Sequence, residues 1–348
     1  MKILAIETSC DETGIALLEG TKTPGGFSFA VLKNALLSQA ALHAPYGGVY
    51  PNLAKREHQK NLPALFEQFK DELFDAVAVT VGPGLEPALW QGINFAQELA
   101  EEKKVPLFPV NHMEAHLISS LVHEGRLENV QLPVLGLLIS GGHTEFVLMP
   151  RWFSYQVIGE TLDDAVGECF DKVARMLGLP YPGGPEISKQ ASEARKKKLV
   201  SEIKLPRPML NSNSCDVSFS GLKTAALYAL KGKNLNDEEK AAFAAEFEEA
   251  VGDVFVAKSR LALSSSKGST FVIGGGVAAN RYLRERLEAL VLEEFPDLTF
   301  KLPELSITGD NAVMIAQAGL AHLLSGDWHE PPKDFRATGN LSIAQKLL

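Results

Sequence analysis

Three features of the chain predict an α/β protein of two duplicated lobes with a cleft between them. At 348 residues it exceeds what one hydrophobic core usually serves. A strand, a polar turn and a returning strand open it at Ile3–Ile6, Glu7–Gly14 and Ile15–Leu18, and the same design recurs at Val134–Ile139, Ser140–Thr144 and Phe146–Leu148. Elsewhere short apolar strands alternate with helical segments across glycine-bearing turns. Two ordinary hairpins meeting by coincidence would leave the same trace, so the pattern alone keeps both explanations standing.

The first turn, Glu7-Thr8-Ser9-Cys10-Asp11-Glu12-Thr13-Gly14, is rich in hydroxyls between buried strands. Its N–H and O–H groups suit a phosphate, and Asp11 and Glu12 could position a cation or a water. A solvated surface hairpin is the plainer reading. Gly47–Pro51 leads into a helix carrying Lys55, Arg56 and His58. Asp75–Thr80 reads as a buried strand, and Gly82-Pro83-Gly84 turns it into a helix from about Pro87 to Ala100.

Val105–Val110 is a short strand, and Asn111 can cap the helix that follows it. On that helix His112 and His116 stand at i and i+4, so both imidazoles leave one face and can grip one cation. Glu114 follows His112 by two positions, which is not the H-E-x-x-H order of a metallopeptidase. Two buried histidines in ordinary hydrogen bonds are the bland alternative, and a site needs a third ligand from elsewhere.

Beyond a charged link at His123–Asn129, the segment Thr161–Ala165 is expected to start a helix reaching Leu177, with hydroxyl and acid at its positive end. Tyr181–Pro185 reads as a rigid loop before the next helix. Arg195–Lys198 is the densest basic run, either a solvated helix face or a surface for RNA. Ser218–Thr224 looks like a phosphate loop but lacks the G-x-x-x-x-G-K-[ST] spacing. Asp237–Ser265 is helical. At Gly274–Gly276 a strand passes into a helix near Asn280, a junction that brings backbone amides against a nucleotide. Asp310 stands just before a helix at Ala312–Leu324, where a carboxylate could complete a metal site. The tail from Asp327 receives no chemistry.

A net charge of −9 argues against binding nucleic acid through the whole surface, so an RNA partner must meet a local patch or be helped by another protein. Nothing approaches an apolar run long enough to cross a bilayer. Acid at Glu7 comes too early for a signal peptide, and three cysteines fit a reducing compartment, so a cytoplasmic location is expected.

Taken together, the blocks Glu7–Thr13, His112–His116, Ser140–Thr144, Thr161–Asp164, Phe170–Lys172, Tyr181–Pro185, Phe219–Thr224, Gly275–Asn280 and Asp310-Asn311 resemble the tRNA N6-adenosine threonylcarbamoyltransferase family, once called O-sialoglycoprotein endopeptidases. The resemblance runs from Ile3 to about Gly319. It implies the fold of actin, hexokinase and the heat-shock ATPases, with two ribonuclease-H-like lobes (the ASKHA superfamily) flanking a nucleotide cleft. The first lobe would take residues 1–117 and about 305–348, the second 118–304. By similarity His112, His116 and Asp310 would hold one divalent metal, usually Fe2+, and Zn2+ would accept the same donors. Leu138, Ile139, Ser140, Gly141, Gly142, Asp171, Gly184 and Asn280 would contact the nucleotide, threonylcarbamoyl-AMP or ATP/ADP. Asp11 and Glu12 would serve catalysis at its phosphate and metal end.

The implied reaction moves a threonylcarbamoyl group from that adenylate to N6 of the adenosine 3′ to the anticodon in tRNAs reading codons that begin with A. The implied partners are tRNA, a paralogous dimer partner (TsaB-like) and a small ATPase (TsaE-like). Two positions depart from the family pattern: Asn52 stands where a glutamate is usual, and Gly309 where a threonine is common. Ser188 receives no role, and the residues name no general base. An actin-fold kinase or ATPase would not need the paired histidines, and a non-catalytic scaffold paralogue should have lost them.

Overall fold

The computed structural model describes residues 1–326 and 335–345. The chain divides into two compact units, Met1–Val130 with Pro303–Leu348, and Gln131–Leu302.

In the first unit β1 (Lys2–Glu7), β2 (Glu12–Thr23) and β3 (Gly26–Ser38) form an antiparallel meander. A short helix α1 (Ala40–His43) and then α2 (Pro51–Phe66) lead to β4 (Ala76–Gly82), which lies parallel to β1. Helix α3 (Glu86–Lys103) returns the chain to β5 (Leu107–Asn111), followed by α4 (His112–Leu121) and β6 (Arg126–Glu128). The six strands run in the order β5-β4-β1-β2-β3-β6. β1 is buried on both faces, as a central strand must be. Its Leu4 and Ile6 pack with Leu62, Leu65, Leu89 and Ile93 of α2 and α3, and each such side chain fully buried contributes about 1.5–3 kcal/mol.

The second unit repeats the design. β7 (Val134–Ile139), β8 (Thr144–Arg151) and β9 (Ser154–Glu160) form its meander. Helices α5 (Val166–Met176), α6 (Gly183–Lys197), α7 (Ser220–Leu230) and α8 (Asp237–Ser266) follow. Strand β10 (Thr270–Gly274) is parallel to β7, α9 (Arg281–Glu294) crosses over, and β11 (Thr299–Lys301) pairs in parallel with β10. The order β11-β10-β7-β8-β9 is the first sheet's β5-β4-β1-β2-β3 over again. This is the duplicated α/β organisation that the two hairpins predicted. The long α8 starts from a capping box between Asn236 and Glu239. Its Phe247, Val251 and Val254 meet Phe170, Ile187 and Phe271 in the second core.

The last described helix, α10 (Ala312–Ser325), belongs to the first unit. A Cβ on its Gly319 would stand 3.1 Å from Ile3 and 3.3 Å from Ala78, so glycine lets the helix lie directly on β1 and β4.

Several sequence expectations need correction. β3 was not anticipated, and β2 runs on to Thr23 rather than ending at Leu18. β2 is buried without a break from Thr13 to Leu18 and β3 is mostly exposed beyond Phe29, so neither shows the two-residue alternation of a half-buried strand. The segment 118–130 lies in the first unit, where Leu127 of β6 pairs with Phe27 of β3. Thr161–Ala165 does not start a helix, because α5 begins at Val166. Asp163 instead accepts the N–H groups of Phe219 and Ser220 at 2.8 and 3.1 Å and the hydroxyls of Ser218 and Ser220, so it caps α7. That fills with the protein's own carboxylate the helix start that looked like a phosphate loop.

Candidate functional site

The helix that bears two candidate ligands and the helix that follows the third each begin at an asparagine. The Asn111 side-chain oxygen accepts the N–H groups of Met113 and Glu114 at 2.9 and 3.2 Å and starts α4. Asn311 accepts from Met314 at 3.0 Å and starts α10, while its amide nitrogen donates to the Gly309 carbonyl at 2.7 Å and shapes the turn that carries Asp310. His112 and His116 leave one face of α4 with their rings nearly perpendicular, centroids 4.7 Å apart. Nε2 of His116 is 3.1 Å and Nε2 of His112 is 3.4 Å from the same Asp310 oxygen. One ligand atom from each of the three residues lies within 4.8 Å of the others.

These spacings fit a cation. Donors held about 2.1 Å from one tetrahedral ion stand about 3.4 Å from each other. Glu114 is no part of the group, since it faces His322 of α10 at 2.8 Å.

Glu7, at the end of β1, was assigned no role from the sequence. It is fully buried and accepts from the Ser9 N–H and the Thr80 hydroxyl, each at 2.5 Å, and from Nδ1 of His112 at 3.2 Å. A carboxylate behind a ligating histidine fixes its tautomer and leaves Nε2 for the metal. Burial alone would lower the His112 pKa, but Asp310 and Glu7 overcome it and push it up to about 10. Burial likewise works against the charge on Asp310, and the two imidazoles hold its carboxyl far below the usual range. A buried cation is thus what the two carboxylates demand, whether a proton or a metal ion provides it.

Asp11 ends the first turn and is buried; Glu12 opens β2 and accepts from the Ser38 hydroxyl at 3.1 Å. Burial, reinforced by the charges of Asp11 and Asp310, raises the Glu12 carboxyl to about 9, so at neutral pH it keeps its proton and can donate.

The residues expected at the nucleotide all fall in the second unit. Leu138 and Ile139 are buried at the end of β7 and offer only backbone. The Ser140 hydroxyl accepts from the His143 N–H at 3.1 Å, closing the turn through Gly141 and Gly142. A Cβ on Gly167 would come within 2.6 Å of the Ser140 carbonyl, and one on Gly275 within 2.5 Å of the Ile139 carbonyl, so both glycines serve packing around this turn. Asp171 accepts from the Gly183 N–H at 2.7 Å at the start of α6, beside Gly184. Asn280 caps α9 through Leu283 at 3.0 Å and donates to Ser188 at 2.8 Å and Glu248 at 2.7 Å. Ser188 lies one helical turn after Gly184, a spacing that could have drawn attention to it.

A Cβ on Gly141, Gly142, Gly184 or Gly276 would meet no atom within 4 Å, and none of the four has a positive φ of the kind that requires glycine. Neither packing nor backbone conformation needs them, and what they do is leave main chain bare.

The basic run at the end of α6 is largely committed to carboxylates. Arg195 bonds the buried Glu248 and lies 3.5 Å over the Tyr282 ring, while Lys196 and Lys197 pair with Glu193 and Glu238.

Among solved structures the chain is similar to HypF of T. kodakarensis with a TM-score of 0.58 at 15% identity, covering 94% of this chain and 48% of that one. It is also similar to a full-length HypF in its phosphate- and nucleotide-bound form, TM-score 0.55 at 15% identity, covering 93% and 46%. The chain thus spans about half the length of either HypF, and at that identity the likeness concerns the fold alone. A tRNA N6-adenosine threonylcarbamoyltransferase from Aromatoleum aromaticum is 43% identical over 332 residues, 94% of this chain and 92% of that protein. The family model for TsaD, tRNA N6-adenosine threonylcarbamoyltransferase, matches residues 30–317, and the chain belongs to that family.

Proposed function

We propose that this protein transfers the threonylcarbamoyl group of threonylcarbamoyl-AMP to N6 of the adenosine 3′ to the anticodon in tRNAs reading codons that begin with A, and that the transfer depends on a divalent metal. The observation that carries this reading is the His112–His116–Asp310 group, which a kinase on this fold does not require and a non-catalytic paralogue would not keep.

The donor is a mixed anhydride with phosphate as leaving group, and the adenine amine is a poor nucleophile. The amine nitrogen attacks the carbamoyl carbon, AMP departs, and N6 gives up a proton. Catalysis then rests on polarising the acyl group and on alignment. An ion held by His112, His116 and Asp310, iron by family resemblance and zinc by the same donor set, would supply a Lewis acid and a template.

The chain's own residues supply the rest. Glu7 keeps His112 in the tautomer that frees Nε2. Burial and the charge of Asp11 push the Glu12 carboxyl up, which favours the protonated form that would donate to developing negative charge. The bare turns at Gly141-Gly142, Gly184 and Gly276 let phosphate and ribose approach backbone amides without a side chain between. With Arg195 turned inward and net charge −9, tRNA is met together with a TsaB-like partner and a small ATPase, and binding to the lone chain should weaken with added salt. Among the described residues no helix is long and apolar enough to cross a membrane, and the three cysteines are free, which supports a cytoplasmic location.

His116→Ala tests the reading. It should lose bound metal and make no threonylcarbamoyl-adenosine from preformed adenylate and anticodon-loop RNA, with the melting temperature largely retained. A metal-free variant with parental turnover would sink it, as would activity lost only in step with unfolding.

A further inference from the structure

The first turn is anchored at four successive residues. The Thr8 hydroxyl donates to the Ala88 carbonyl of α3 at 3.1 Å, and the Ser9 carbonyl accepts from the N–H of Leu85, the residue before that helix, at 2.8 Å. The Cys10 carbonyl accepts from Nε2 of His58 at 3.0 Å, and the Asp11 carbonyl from the Gln39 N–H at 2.9 Å.

The second pair of anchors opens onto a buried relay that the reaction as described does not use. Thr13, Gln39, His43 and His58 are all at most 1% exposed. A carbonyl can only accept, so Nε2 of His58 carries the proton, and burial keeps this imidazole neutral. Its Nδ1 therefore accepts from the Thr13 hydroxyl at 2.8 Å. Nδ1 of His43 takes the Tyr50 N–H at 3.2 Å, so its Nε2 donates to the Gln39 side-chain oxygen, also at 3.2 Å. Each ring has one tautomer available, and the Gln39 amide is set between them.

Because a peptide group is planar and trans, a Cys10 carbonyl turned toward His58 points the Asp11 N–H the opposite way. We infer that His58, held in one tautomer by Thr13 and backed by the Gln39–His43 pair, is a positioning residue that sets the direction of the Asp11 main chain and side chain for acyl transfer. The inference rests on the proposed function in one respect only, the assignment of Asp11 to the reacting end of the site.

The test uses the full chain with preformed adenylate and RNA, and the variants His58→Leu, His58→Gln and Thr13→Val. Glutamine can place an amide N–H where Nε2 stands; leucine cannot. His58→Leu should lower kcat about 10²-fold, the scale of a misplacement of about 1 Å, with adenylate KM and metal stoichiometry unchanged. His58→Gln should recover most of that loss. Thr13→Val keeps the shape but frees the tautomer, and should lower kcat less. Parental kcat in a folded Thr13→Val or His58→Leu overturns the inference, and so does a glutamine variant no better than leucine. Should the leucine variant fail to fold, the other two decide.

Nitrogen chemical shifts of labelled His58 give a readout that needs no turnover. A neutral Nε2–H ring is expected, and an Nδ1–H ring would refute the placement. A parent protein with that ring but no transfer would refute the proposed function and leave the placement intact.

Discussion

Adding one methyl group at Gly141 and at Gly275 should act in opposite directions. At Gly275 φ is +88° and an added Cβ would stand 2.5 Å from the Ile139 carbonyl. With ψ at 168° this backbone is essentially open to glycine alone and costs an alanine about 1–3 kcal/mol, and forcing the neighbours apart adds about 1–3 kcal/mol. A loss of about 2–6 kcal/mol at about 2–4 °C per kcal/mol lowers the melting temperature of the second unit by roughly 4–24 °C. At Gly141 there is no positive φ and no atom within 4 Å of the added carbon. Alanine there restricts the unfolded chain and should stabilise by about 0.4–1 kcal/mol. The same methyl would stand between the turn and an arriving phosphate, and losing one hydrogen bond to a charged group costs about 1.5–3 kcal/mol, or about 10- to 150-fold in affinity. Scanning calorimetry and titration with AMP on the same preparations read both effects. Gly141→Ala that binds AMP like the parent would refute the reasoning about the bare turn, and Gly275→Ala as stable as the parent would refute the reasoning about packing.

Burial works to raise the Asp163 carboxyl, but donors from Ser218, Ser220 and the Phe219 amide hold it down at about 2. A carboxyl depressed from about 3.9 stabilises fully above that value and loses its contribution as pH falls through 2. Asp163→Ala should therefore be less stable than the parent at pH 6, and the gap should close between pH 4 and pH 2, as melting curves across that range will show. Gly309→Thr restores the side chain usual at that position; with no atom within 4 Å of its Cβ it should stay within about 0.5 kcal/mol of the parent and keep its metal content. A loss of metal measured in that variant would mean the turn before Asp310 needs glycine after all.

The His112–His116–Asp310 group was legible in part because two of its members obey a local rule. His112 and His116 are one helical turn apart and follow a capping asparagine, and the structure has them so. Asp310 is 194 positions from His116, beyond any spacing rule; its place before a helix marked it as a possible ligand, and only the resemblance joined it to the two histidines. Glu7 escaped because its partner is 105 positions away and because an acid ending a strand reads as the start of a polar turn. The twofold repeat of strands was legible because each hairpin is local, whereas β3 is mostly exposed beyond Phe29 and carries no sustained alternation. Arg195 shows the limit of reading charge in a line: its neighbours in sequence point to solvent, and Glu248, which claims it, lies 53 positions on in α8. Asp163 erred in the same way, since it caps a helix that starts 57 positions later rather than the one next to it.

The same place in the repeated sheet is built in two ways, and the two turns should differ in how they tolerate sequence drift. Between β1 and β2 the turn works through named side chains: Glu7 on His112, Thr8 on the Ala88 carbonyl of α3, and Glu12 on the Ser38 hydroxyl. A replacement there is judged by its functional group, so an isosteric swap such as Glu7→Gln is harmful although nothing changes in size. Between β7 and β8 the turn offers main chain with open space at Gly141 and Gly142, so alanine, serine and aspartate there should impair transfer alike, by bulk. Saturation mutagenesis of the two turns, scored for transfer, should give one profile ordered by chemistry and another ordered by bulk, from a single topology used twice.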